Sequence, residues 1–218
     1  MFIVSIKPET GGEASKLELS DGSFFLFRAC YLPPNVDTSL GETAEGRAAE
    51  GREISDDEEA AFRFAAACLR TEKTALRLLA RAEQNTFGLS RKLEKRGYDP
   101  ACVRAVLEQL GETGLLDDRR YARLWLETRL CRQSSGPWRL LAALRSRGID
   151  SDDAEAALKE SLDDETEFRL LLRYTEKFLR KHKTAGDSDE ERRALKYTLK
   201  REGFSPQNIQ RFFDSQDY

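Results

Sequence analysis

The chain has 218 residues, enough for one large domain or a string of small modules but not for an extensive single core. Charged residues make up 34% against a usual share of about 25%, and the formal net charge is −3, which excludes an even coat of positive charge for nucleic acid but not charge segregated along the chain. Apolar runs such as 65–69 fall far short of the roughly 20 residues that cross a bilayer, and the start lacks a basic stretch leading into a sustained apolar one, so neither a membrane span nor a secretory signal is expected.

Residues 2–7 alternate in polarity, and 16–20 and 23–28 flank Ser20-Asp21-Gly22-Ser23, whose Asp-Gly step suits a tight hairpin turn. Phe24, Phe25 and Phe27 read as packing against a sheet partner or helix rather than as a stacking platform for bases. After Pro33-Pro34 come three glycines and a strong acidic excess, the signature of a flexible linker. Gly41 and Gly46 have the spacing of a phosphate loop, but the Lys and Ser/Thr that hold phosphate and Mg²⁺ are missing, and no apolar strand leads in. From Ser55 the pattern turns helical. Ser55 and Glu58 have capping-box spacing, and Asp56 to Glu59 suit the positive end of a helix dipole better than a metal site. Apolar residues then recur at three- and four-residue steps through Phe62, Ala65, Ala66 and Leu69 to Leu76, Leu79 and Ala80.

A divergent repeat follows. Leu89, Leu93, Arg96, Gly97, Tyr98 and Asp99, with Val103, Val106 and Leu107 behind them, return 51 residues later as Leu140, Leu144, Arg147, Gly148, Ile149 and Asp150, then Ala154, Ala157 and Leu158. After 55 more come Leu195, Leu199, Glu202, Gly203, Phe204 and Ser205, then Ile209, Phe212 and Phe213. Each glycine is expected to end a helix in the left-handed conformation, with the next apolar residue packing back on it. Asp99, Asp150 or Ser205 then caps the following helix, and Pro100 and Pro206 take its first position. A further amphipathic helix precedes each pair, at about 72–83, 117–133 and 164–181. The expected fold is mainly α, with tandem three-helix repeats forming an elongated curved solenoid and a small N-terminal β-hairpin or sheet. The expected division is an N-terminal β region (1–34), a flexible acidic linker (35–54), a leading helix plus repeat 1 (55–116), repeat 2 (117–162) and repeat 3 (163–218), with a loop from His182 to Glu190.

Residue chemistry removes most enzymes. Cys30, Cys68, Cys102 and Cys131 are scattered without a C-x-x-C pair, which predicts four reduced, mostly buried thiols in a cytoplasm. His182 is the one histidine; between Lys181 and Lys183 it reads as a solvated helix end and lacks the partners of a nucleophilic triad. Charge is uneven: residues 119–149 carry +7 and residues 37–60 carry −7. Arg119, Arg123 and either Arg129 or Arg132 are expected near one helix face, with Tyr121, Leu124, Trp125 and Leu130 as its buried stripe and both Trp125 and Trp138 in the core. Repeat 3 has comparable spacing in Arg169, Arg173, Lys177, Arg180 and Lys181. The candidate binding set is therefore Arg119, Arg120, Arg123, Arg129, Arg132, Arg139, Arg145 and Arg147, extended by Arg173, Lys177, Arg180 and Lys181. Arginine dominates the middle repeat, and its planar fork suits carboxylate or phosphate, so the target is an acidic protein surface or a nucleic-acid backbone.

The motifs Leu89-x-x-x-Leu93-x-x-x-Gly97-Tyr98, Leu107-x-x-Leu110-x-x-x-Gly114-Leu115-Leu116-Asp117-Asp118-x-x-Tyr121-Ala122, then Arg129, Gly136 and Leu144-x-x-x-Gly148-Ile149 carry a family likeness. Over about 55–215 the chain resembles the RecX-type regulatory proteins, modulators of the RecA recombinase. It departs from them in a long acidic, glycine-rich stretch at 37–52 and in Glu202, where the other copies have Arg. The resemblance implies a non-enzymatic cytoplasmic monomer without cofactor or metal. Such a protein lies in the groove of the RecA–DNA filament, inhibits recombination and ATP turnover, and acts in DNA repair and the SOS response. RecA carboxylates, or phosphates of single- or double-stranded DNA, would meet the candidate cations. Two alternatives stay open: an autonomous DNA-binding protein of helix-turn-helix-like repeats, which would bind DNA tightly without RecA, and a helical adaptor, which would leave RecA ATPase unchanged.

Overall fold

The structure, a computed structural model, describes residues 2–9, 14–36, 38, 52–182 and 188–215. Most of the expected linker, with its glycine-spaced stretch 41–48, and residues 183–187 of the expected third-repeat loop lie outside the described residues.

At the N-terminus three antiparallel strands, β1 (Phe2–Pro8), β2 (Ser15–Leu19) and β3 (Phe24–Phe27), are joined on the far side of β1 by β4 (Arg52–Glu53), giving the order β3-β2-β1-β4. The β2–β3 turn forms as expected: Asp21 accepts from the Ser23 hydroxyl at 2.7 Å and the Ser23 N–H at 2.9 Å, which holds its carboxyl below the usual range. One face of the sheet buries Ile3, Ile6, Leu17, Leu19 and Phe27. The phenylalanine expectation holds fully for Phe27 alone, whose ring meets Phe62 edge-on at 5.0 Å. Phe25 is half-buried, and Phe24 is exposed beneath the Lys16 ammonium.

Among the described residues there are nine α-helices: α1 (Asp56–Leu79), α2 (Thr86–Glu94), α3 (Pro100–Glu112), α4 (Asp118–Arg132), α5 (Pro137–Arg145), α6 (Ser151–Ser161), α7 (Asp164–His182), α8 (Asp189–Arg201) and α9 (Pro206–Asp214). The Ser55–Glu58 capping box is present at α1. That helix runs unbroken for 24 residues, which corrects the expected separate helix at 72–83. No Gly or Pro interrupts 56–79, and its buried row continues from Phe62 through Leu69 to Glu72 and Ala75. The helix-pair joints repeat as read from the sequence. Gly97, Gly148 and Gly203 have φ of 84°, 81° and 85°. Behind them the N–H groups of Tyr98, Ile149 and Phe204 donate back to Leu93, Leu144 and Leu199. Asp99, Asp150 and Ser205 cap α3, α6 and α9.

The chain divides into two compact units, Met1–Gln84 with Leu89–Leu116, and Asn85–Gly88 with Asp117–Tyr218. In the first, α1 lies on the sheet and on α3, and Glu72, 3% exposed, pairs with Arg28. Cys68 and Cys102 are buried there, and burial followed by the hydrogen bond between them pushes the Cys68 thiol up. Cys30 and Cys131 are exposed, so half the thiols depart from the expected burial.

The second unit has two clusters, one around Leu126, Leu140, Leu144 and Leu158 and one around Leu171, Leu195, Leu199 and Phe204; Leu130 and Leu162 pack against both. The expected stripe of α4 is corrected. Ala122 and Leu126 are its buried residues, Tyr121, Trp125 and Leu130 are half-buried, and Leu124 is 44% exposed. Leu124 sits two residues from each buried position and therefore on the opposite side of the helix. Trp138 is 65% exposed rather than core, because it occupies the first turn of α5, where its backbone rather than its ring meets the third repeat. Among the described residues no helix is long and apolar enough to cross a membrane.

Candidate functional site

Within the second unit the end of α4, the turn after it, α7 and the end of α8 enclose a cleft of about 860 Å³. Its walls are set by backbone. Gly136 N–H donates to Glu202 O at 3.0 Å, and Trp138 N–H donates to Gly203 O at 3.1 Å. A Cβ on Gly136 would stand 2.1 Å from the Gly203 carbonyl carbon and the Phe204 nitrogen, so only glycine permits this approach. Arg139 pairs with Glu202, itself 14% exposed. Arg173 reaches from α7 to donate to Ser134 Oγ at 2.8 Å and to Leu130 O at 2.9 Å, which also places a cation at the C-terminal end of α4.

The lining holds seven cations, Arg129, Arg132, Arg139, Arg173, Lys177, Lys181 and Arg201, against the single carboxylate Glu202. The side chains of Arg132, Lys177, Lys181 and Arg201 carry no hydrogen bond or ion pair among the described residues. Arg129 lies 5.7 Å over the Trp125 ring, and its Nε is buried without a hydrogen-bond partner. Tyr174, Phe178 and His182 share the lining. Burial first, then the Glu202 charge, raises the Tyr174 phenol above its ordinary range.

Six of the twelve candidate cations thus converge. The others are spent elsewhere or stand apart. Arg119 and Arg123 both turn to Glu160, the latter at 3.8 Å. Arg120 lies 3.9 Å from Asp117, and Arg145 pairs with Glu155 at 2.8 Å. Arg147 donates to Ala143 O and lies 4.6 Å over Trp125. Arg180 is exposed outside the cleft. The expected common face of α4 does not form: Arg119 and Arg123 turn to Glu160 of α6, whereas Arg129 and Arg132, about 15 Å or more further along the helix from Arg119, line the cleft. Sequence reasoning missed Arg201, Tyr174 and Phe178, and read His182 only as a solvated end, although it lines the cleft with its ring 4.3 Å from Phe178. A signal was present: aromatic residues at 174, 178 and 182 run beside cations at 173, 177 and 181 at the four-residue step of a helix.

The cleft can neutralise several negative charges in one place. Comparison with known proteins finds the RecX second three-helix domain at residues 117–158 and the RecX first three-helix domain at 73–110. Regulatory protein RecX of Treponema pallidum is 35% identical over 161 residues, 74% of this chain and 94% of that protein. RecX of Halorhodospira halophila is 44% identical over 90 residues, 41% of this chain and 53% of that one. Two crystal structures share the fold. A regulatory protein RecX has a TM-score of 0.74 at 20% identity over 98% of both chains, and RecX from Lactobacillus salivarius has 0.62 at 22%, covering 70% of this chain and 98% of that one. A full-length relative more than one-third identical, together with matches to both three-helix domains, means that this chain belongs to the RecX family of regulatory proteins.

Proposed function

We propose that this protein is a non-enzymatic cytoplasmic regulator that binds the RecA–DNA filament as a monomer and restrains recombination and ATP turnover, in DNA repair and the SOS response. Its modules would be the repeats at 55–116, 117–162 and 163–218, with the β region 1–34 attached through 35–54. The observation that carries this reading is the cleft, where seven cations face one carboxylate and four of the seven have no side-chain hydrogen bond or ion pair among the described residues. Such a concentration of positive charge on a chain of net charge −3 is kept for a polyanion, and DNA phosphates and acidic protein surfaces are the polyanions a recombinase filament offers. Repeated modules on one chain raise effective concentration once the first has bound, so modest contacts add to firm attachment.

The test is RecA ATPase on single-stranded DNA with this protein added. Turnover falls with the wild type and recovers with Arg132→Glu combined with Lys177→Glu. Unchanged turnover at saturating wild type would remove the filament reading in favour of a helical adaptor. Tight duplex binding without RecA, with no effect on turnover, would favour an autonomous DNA-binding protein.

A further inference from the structure

The sheet of the first unit is closed at one edge and open at the other. In the order β3-β2-β1-β4, β4 pairs with the outer side of β1, whereas no strand pairs with the outer side of β3 among the described residues. The register fixes which backbone groups face that open side. Leu19 N–H donates to Ser23 O at 2.9 Å, and the pairs Leu17 with Phe25 and Ser15 with Phe27 follow at two-residue steps, so Ser23, Phe25 and Phe27 direct their backbone groups to β2. The N–H and C=O groups of Phe24 and Leu26 therefore point to the open side. Edge strands are commonly blunted by a lysine, a proline or a bulge. Phe24-Phe25-Leu26-Phe27 has none of these.

Beside this edge a groove of about 310 Å³ runs between β3 and α1. Ala66, Leu69, Arg70 and Lys73 line it at three- and four-residue steps, which place them on one face of the helix. Ala66 and Leu69, 7% and 5% exposed, form an apolar floor with the half-buried Phe25. Arg70 and Lys73 are exposed, and their side chains carry no hydrogen bond or ion pair among the described residues. Glu18, opposite Phe24 on β2, is already paired with Lys16 at 2.7 Å.

These features select one kind of occupant. Outward main-chain groups at alternate residues call for an extended backbone, the apolar floor for a small apolar side chain opposite Phe25, and the two cations for carboxylates at neighbouring inward positions. Another copy of β3 would satisfy the backbone but carries no carboxylate for Arg70 and Lys73. We infer that this edge takes an extended acidic segment of a partner protein as an added strand, its backbone on Phe24 and Leu26 and its carboxylates on Arg70 and Lys73. The surface lies wholly within the first unit and is independent of the cleft in the second.

The experiment uses the full chain and the capped peptide Glu-Thr-Glu-Thr-Val-Thr-Glu-Thr-Glu, with affinity read by fluorescence anisotropy and amide exchange read by NMR. The amides of Phe24 and Leu26 exchange about tenfold more slowly when the peptide is bound, and a peptide with lysine in place of every glutamate does not bind. Leu26→Pro, which removes an outward N–H without touching the β2 ladder, weakens binding about tenfold. Arg70→Glu combined with Lys73→Glu leaves β3 intact, keeps the unfolding temperature and also weakens binding about tenfold. Arg132→Glu combined with Lys177→Glu, in the cleft, binds the peptide as wild type does. The inference is overturned if the peptide does not bind, if the Phe24 and Leu26 amides exchange equally fast at saturation, if the lysine peptide binds as well, or if binding depends on Arg132 and Lys177 rather than on Arg70 and Lys73. A dimer in sedimentation that Leu26→Pro dissolves would assign the edge to a second copy and overturn it too. So would binding that appears only with Glu42→Gln, Glu45→Gln and Glu50→Gln, which would assign the groove to the chain's own acidic stretch.

Discussion

Gly136 and Gly203 decide whether the cleft exists, since any side chain at the first would occupy the space of the second. Gly136→Ala is therefore expected to cost about 3 kcal/mol by forcing two backbone segments apart, read as a lowered unfolding temperature. Gly111→Ala is the opposite case: it lies within α3 with nothing within 4 Å of an added Cβ, and the change is expected to stabilise by up to about 1 kcal/mol. An unchanged Gly136→Ala protein would show that the close approach is not required. At this scale the sequence was most legible where causes are local. Ser55, Asp99 and Ser205 cap helices because their oxygens reach N–H groups two or three residues on. The exposure of Trp138 was not legible, because it depends on Gly203, 65 residues further along.

Elements are held to one another by few, well-placed polar groups. Glu167 of α7, 5% exposed, accepts from the Ser205 N–H at 2.6 Å and from Asn208 Nδ2 at 2.9 Å, fixing α7 against the start of α9. Glu167→Ala leaves both donors buried without that acceptor and is expected to destabilise by roughly 1–3 kcal/mol, measured as a lower urea midpoint. A midpoint equal to wild type would mean that apolar packing alone joins the two helices. The repeat made helix pairs and their joints legible, since a glycine, an apolar residue and a cap return together at 97–99, 148–150 and 203–205. Faces were less so. Spacing alone assigned Leu124 to the inside of α4, whereas α6 packs on the side carrying Ala122 and Leu126.

Across the whole chain, a net charge of −3 conceals strong segregation, and the excess of +7 over residues 119–149 was plain in the sequence. Which of those arginines are available was not, because the carboxylates that occupy Arg119, Arg123 and Arg145 come from Glu160 and Glu155, on a different helix. Tertiary pairing thus divides one run of arginines into engaged and unengaged members, and the third repeat supplies Lys177, Lys181 and Arg201 to complete the cleft. The most direct test compares two single reversals, Arg132→Glu in the cleft and Arg123→Glu beside Glu160, in RecA ATPase on single-stranded DNA. Arg132→Glu is expected to lose most of the inhibition and Arg123→Glu to keep it; equal loss from both, or loss only from Arg123→Glu, would contradict a cleft-centred mode of action.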